Sequence, residues 1–122
     1  MRNTFYKKEE GAYGEQLAVE YLKKHGYKLL DQNFRIRGGE IDIIALDGNT
    51  VAFIEVKTRR SSEFGTPLEA ITPWKIRSLI KTANFYMMKH PNLPEAMRLD
   101  AVGIVLDVQK KSISIELVKN IS

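Results

Sequence analysis

Three charged side chains, Asp42, Glu55 and Lys57, stand inside two otherwise apolar runs, Glu40 to Leu46 and Val51 to Thr58. Carboxylates are costly to bury unless they are paired or bind a cation, so two of them beside a lysine suggest a metal site with catalytic work to do. The chemistry that fits is cleavage of a phosphodiester. That anion repels hydroxide, so cutting it needs positive charge at the phosphate oxygens and a nucleophile generated at neutral pH. Hard carboxylate oxygens suit Mg²⁺ or Mn²⁺, which keep most of their waters. Lys57, two residues beyond Glu55, shares its face of a strand and adds a positive charge beside an attacking water.

The turn between the two runs controls how these groups meet. Asp47-Gly48-Asn49-Thr50 is a strong hairpin signal, and a two-residue loop at Gly48-Asn49 sets Asp42 opposite Glu55 and Glu40 opposite Lys57. A loop at Asp47-Gly48 sets Asp42 against Phe53 and Glu40 against Glu55. In either register strand parity keeps Glu40, Asp42, Glu55 and Lys57 on one face, and only an odd-length loop or a bulge separates them. Directly opposed residues have Cβ atoms about 4.5–5.5 Å apart, a gap in which two carboxylates repel unless a cation lies between them.

The elements that must position these residues read as follows. A helical pattern runs over about residues 9–25 and ends at Gly26, with Leu17, Ala18, Val19, Tyr21 and Leu22 on one broad side. Glu15 falls on that apolar side, either favoured by the helix dipole or aimed into a shared site. Residues 27–37 read as a first strand, Gly38-Gly39 as a turn, and the hairpin follows. Residues 59–66 are polar, basic and glycine-containing, as expected of a mobile loop. Thr72-Pro73 opens a second helix ending near His90-Pro91, and strands follow at 98–106 and 113–118. The order is αβββαββ. It implies an α/β fold in which the second helix carries the chain back to lay the strand at 98–106 beside the hairpin, a mixed sheet flanked by helices.

Composition sets the bounds. With 122 residues we expect one domain over 1–122, and 28% charged against 43% hydrophobic residues is an ordinary soluble balance with no membrane span. The first residues lack the apolar core of a signal peptide, and the chain has no cysteine, which is compatible with a cytoplasmic location. A net charge of +4 mildly favours a polyanionic partner.

Asp42, twelve intervening residues, then Glu55-Val56-Lys57 resembles the PD-(D/E)xK signature of restriction-endonuclease-like nucleases, with Ile41 where the signature's name has proline. Gly14-Glu15 resembles the additional helical acid of those enzymes. More narrowly, Gly14 to Ala18, Gly39 to Ile43 and Phe53 to Arg59 resemble the YraN family of bacterial proteins, itself similar to archaeal Holliday junction resolvases. The resemblance implies a restriction-endonuclease-like core. It implies Asp42, Glu55 and the main-chain carbonyl of Val56 as metal ligands, Lys57 as the residue that orients or activates the attacking water, and Glu15 acting through a water on the metal. It also implies a symmetric homodimer, since two cuts need two sites.

The remaining polar residues have plainer readings. Glu40 either pairs with Lys57 or sits in solvent. Arg98 and Asp100 stand at a strand entrance, where charges are commonly solvated. His25 and His90 fall at helix ends, as surface or dipole partners. Trp74 reads as a packing anchor, and Phe64 as either an anchor or a stacking platform. Arg59, Arg60, Lys75, Arg77 and Lys81 are the expected phosphate-backbone contacts, reading charge or shape because no base-reading motif is evident. The leading reading is a Mg²⁺- or Mn²⁺-dependent endonuclease acting on DNA, with branched DNA among its substrates. The alternatives are a non-catalytic nucleic-acid-binding protein of the same fold and an RNA-directed nuclease.

Overall fold

The computed structural model describes residues 4–61 and 65–122, and for residues 4–8 the backbone alone; Phe64 lies outside the described residues. The element order matches the expectation. Helix α1 (Thr4–Lys24) precedes strands β1 (Lys28–Ile36), β2 (Gly39–Asp47) and β3 (Thr50–Arg59), and helix α2 (Pro73–Lys89) leads to β4 (Ala96–Asp107) and β5 (Ser112–Lys119). The described part of helix α1 already extends five residues ahead of Glu9, with no proline to interrupt it. It ends where Gly26 adopts a φ of 88° and the Tyr27 amide donates to the Leu22 carbonyl at 3.0 Å, closing the last turn. A short 3₁₀ turn, Pro67–Ala70, was not anticipated; it packs Leu68 over Gly103, where a Cβ would come within 3.1 Å of the Leu68 side chain.

The five strands form one sheet in the order β1-β2-β3-β4-β5. Only β3 and β4 run parallel, joined by the α2 crossover, and the other pairs are antiparallel. This mixed sheet with a helix on each side is consistent with a restriction-endonuclease-like core. Helix α1 covers one face through Ala18 and Leu22 against Ile43, Ala45, Ala52, Ile54, Val102 and Ile104. Helix α2 covers the other through Leu79, Ala83 and Tyr86 against Ile41, Ile44, Val51, Phe53 and Leu99. Thr72 caps α2 by accepting the Lys75 amide at 3.1 Å, with Pro73 in the first turn, as its sequence requires. Among the described residues no helix is long and apolar enough to cross a membrane.

The hairpin register is the Gly48-Asn49 one: Asp47 pairs with Thr50 and the ladder continues to Ile43 opposite Ile54. There the β2–β3 pairing stops. The expectation that Glu40, Asp42, Glu55 and Lys57 share a face is overturned by an irregularity at Asp42. Alternation breaks between Ile41, which faces α2, and Ile43, which faces α1. In β1, Asn33 opposite Asp42 has a φ of 53°, and Asn33 and Asp42 drop out of the ladder while pairing resumes at Phe34 with Ile41. Asparagine tolerates this left-handed conformation, so β1 and β2 turn over together without losing register. Gly39 consequently backs onto α2, where a Cβ would strike the Thr82 hydroxyl. Glu40 turns to the α1 side and pairs with Arg35 at 3.2 Å, not with Lys57.

Asp100 is buried and the Arg98 side chain is only 21% exposed, so neither stands free in solvent. Asp100 is 0% exposed; Arg98 donates to both its oxygens at 2.7 Å, and Tyr27 Oη and the Asn120 amide donate at 3.0 Å each. Arg98 also reaches Asp47 at 2.8 Å, where Lys119 adds a contact at 3.0 Å. These bonds tie the end of β5 and the hairpin turn to the α1 side of the sheet. With burial and the Asp100 charge opposing ionisation, the Tyr27 hydroxyl pKa is raised.

Candidate active site at the β2–β3 split

Where β2 leaves β3, the Asp42 side chain replaces a main-chain partner. Its Oδ2 accepts the Val56 amide at 2.8 Å, so the carboxylate is pinned between the separating strands. Strand β3 keeps its alternation, which turns Val56 toward the α1 side and Glu55 and Lys57 toward the α2 side. Glu55 is 3% exposed and its carboxyl lies against that of Asp42. Its pKa is pushed up to about 8, first by burial, then by the hydrogen bond and charge of Asp42, with Lys75 and Lys57 opposing.

Helix α1 brings in the third acid. Gly14 sits so close to β3 that a Cβ there would run into the Thr58 side chain, and this contact lowers the next residue, Glu15, toward Asp42. Burial raises the Glu15 pKa to about 7, followed by the charges of Asp42 and Glu40, against Arg35. A cleft of about 350 Å³ opens between helix and sheet, lined among others by Glu15, Asp42, Val56, Thr58, Arg59 and Arg60.

Among the described residues, the buried oxygens Glu15 Oε1 and Glu55 Oε2 have no hydrogen-bond partner. The second has an ion pair instead, 3.3 Å from Lys75 Nζ, without hydrogen-bond geometry. Buried carboxylate oxygens left in this state suit a cation. Among the described residues no group of three or more His, Asp or Glu side chains could hold a metal by itself. Two carboxylates completed by main-chain and water oxygens are the donor set that Mg²⁺ accepts, so the residues present fit that ion.

The basic residues divide. Arg59 is exposed at the cleft, and Arg60 pairs with Glu10 across its rim at 3.2 Å. Lys75 turns inward to Glu55. Lys81 is exposed beside the Gly38 turn, and Arg77 lies over the Trp74 ring at 4.4 Å from its centroid. Trp74 is 77% exposed, so it is not a packing anchor: the Thr72-Pro73 cap holds the first turn of α2 beyond the edge of the core. His25 and His90 close their helices, each with Nδ1 at 2.8 Å from the carbonyl four residues back. The Lys75–Glu55 pair, the Glu15–Arg35 proximity and the Gly14–Thr58 contact escaped sequence reasoning. Gly14 beside Glu15 was a signal of close helix–sheet approach; the two cation contacts had none.

A family model described as "Uncharacterised protein family UPF0102" matches residues 14–104. Among curated proteins, the chain is 46% identical to a UPF0102 protein of Caldicellulosiruptor saccharolyticus over 114 residues, 93% of this chain and 97% of that one. It is 44% identical to one of Geobacter metallireducens, covering 90% of each, and 43% identical to one of Syntrophomonas wolfei, covering 88% of this chain and 93% of the relative.

Proposed function

The chain belongs to the UPF0102 (YraN) family, and from that premise and the geometry of the β2–β3 split we propose that it is a metal-dependent endonuclease hydrolysing phosphodiester bonds in DNA, branched DNA included. The observation that carries this reading is the contact of the Asp42 and Glu55 carboxyls at the point where the strands part, with buried oxygens of Glu15 and Glu55 lacking hydrogen-bond partners among the described residues. Asp42, Glu55 and the main chain of Val56 would hold Mg²⁺ or Mn²⁺. A bound divalent cation would supply positive charge against the phosphate oxygens and make water more acidic.

The chain's own residues do the rest. Asp42 is fixed by the Val56 amide, so its carboxylate keeps one direction beside Glu55. Lys57 adds positive charge beside Glu55 and orients the attacking water. Glu15, with a pKa of about 7, is matched to moving a proton near neutral pH. Arg59 and Arg60 hold the phosphate backbone at the cleft, and a homodimer would present two such sites to two strands.

One observation favours the second reading, a nucleic-acid-binding protein of the same fold that does not cleave: Lys75 already sets a positive charge on Glu55. Incubation of the pure protein with labelled branched, flap and linear DNA, and with RNA, in Mg²⁺ or Mn²⁺ separates the two. The expected result is cation-dependent cleavage of DNA that Asp42→Asn and Lys57→Ala each reduce by about 10²–10⁴-fold. Cleavage that survives both substitutions rejects the site. Tight, salt-sensitive binding with no cleavage of any substrate establishes the second reading, and cleavage confined to RNA replaces the substrate.

A further inference from the structure

Helix α2 carries Lys75, Arg77, Lys81 and Lys89 and not one acid. Lys75 turns inward to Glu55, and its neighbour Trp74 stands outside at 77% exposure. At 100° per residue, Trp74, Arg77, Lys81, Phe85 and Met88 fall within a sector of about 80° on the outer side of the helix. Aromatic rings and cations are paired along it: Arg77 over Trp74 at 4.4 Å and Lys89 Nζ 5.5 Å from the Phe85 centroid. A tryptophan so exposed adds little to the core of α2, which Leu79, Ala83 and Tyr86 supply. The charge on this face identifies what covers it. A second copy of the same face would set Arg77 and Lys81 against like charges with no α2 carboxylate to answer them. A nucleic-acid strand answers both features, since phosphates meet the cations and bases stack on the rings.

We propose that Trp74, braced by Arg77, stacks an unpaired base of a DNA strand lying along the outer face of α2, one residue from the lysine that reaches Glu55. The placement next to the scissile phosphate rests on the hydrolytic reading; the stacking does not. The preferred substrate then carries unpaired nucleotides beside the cut, as a flap or junction does and a continuous duplex does not. Trp74 selects and positions such a strand and takes no part in the chemistry.

Trp74 is the only tryptophan in the chain, so its fluorescence reports this contact directly. The protein, in chelator to prevent cutting, is titrated with a flap DNA and with a blunt duplex of matching sequence. The flap is expected to quench the emission and the duplex to leave it nearly unchanged. By anisotropy, Trp74→Ala should weaken flap binding about tenfold and duplex binding no more than about twofold, while Trp74→Phe retains most of the affinity. Bound flap with unquenched emission, or equal losses on both DNAs, overturns the proposal. If Trp74→Ala does not fold, quenching of the unmodified protein decides alone. Cleavage without quenching leaves the hydrolytic reading standing and sinks this one; quenching without cleavage of any substrate does the reverse.

Discussion

At the scale of single residues, the site holds acids whose ionisation opposes folding. Glu15 and Glu55 have native pKa values of about 7 and about 8 against an ordinary 4.5, so the native protein keeps protons that the unfolded chain has released between those limits. Because the unfolded state then binds fewer protons, stability falls as pH rises through that window. The melting temperature in chelator should therefore drop between about pH 5 and pH 8. Glu55→Gln should raise it at pH 8 and flatten the dependence, and Mg²⁺ should raise it for the unmodified protein more than for the variant. A pH-independent melting curve would contradict the arrangement. Asp47 works in the other direction. Hydrogen bonds from Arg98 and then Lys119 hold its pKa below 3.8, so its stabilisation is complete above that value and is lost as pH falls through the native one. In the same cluster, Arg98→Met leaves the buried Asp100 without its cation, at a cost of about 3–5 kcal/mol in urea unfolding.

Among the elements, two local devices aim the acids, and each can be tested. The first is the close approach of α1 to β3 at Gly14 and Thr58. Gly14→Ala should push the helix away, costing about 1–3 kcal/mol of stability and lowering hydrolysis as Glu15 moves off Asp42. Adding Thr58→Ala should recover part of both losses, because the hydroxyl and methyl that the new Cβ meets are gone. The second is the paired turnover at Asn33 and Asp42. Asn33→Gly should be tolerated, since glycine adopts positive φ freely, whereas Asn33→Val should cost about 1–2 kcal/mol by denaturant unfolding. Equal stability of the two variants would show that the left-handed residue is not what lets β2 split from β3.

For the whole molecule, a net charge of +4 with exposed arginines at the cleft and lysines along α2 makes binding a matter of counterion release. Arg59→Gln and Lys81→Gln should each lower the slope of log affinity against log salt by about one, with similar effect on every DNA sequence. Much of this architecture was readable beforehand. Hydrophobic periodicity marked the elements, Thr72-Pro73 and Gly26 marked helix ends, and the Asp47 to Thr50 turn marked the hairpin while leaving its register open between two. Each of those signals lies within a few residues of its effect, so local propensity and turn chemistry suffice to decide them. The amino-acid sequence by itself thus determined the order of elements, the hairpin, and the motif of Asp42, Glu55 and Lys57. Tertiary structure alone decided that Asp42 stands between the two faces, that Glu40 leaves the group, that Lys75 reaches Glu55, that Asp100 is buried and that Trp74 faces outward. These depend on how helices pack on a sheet between segments far apart in the chain, where burial and the approach of distant charges outweigh any local preference.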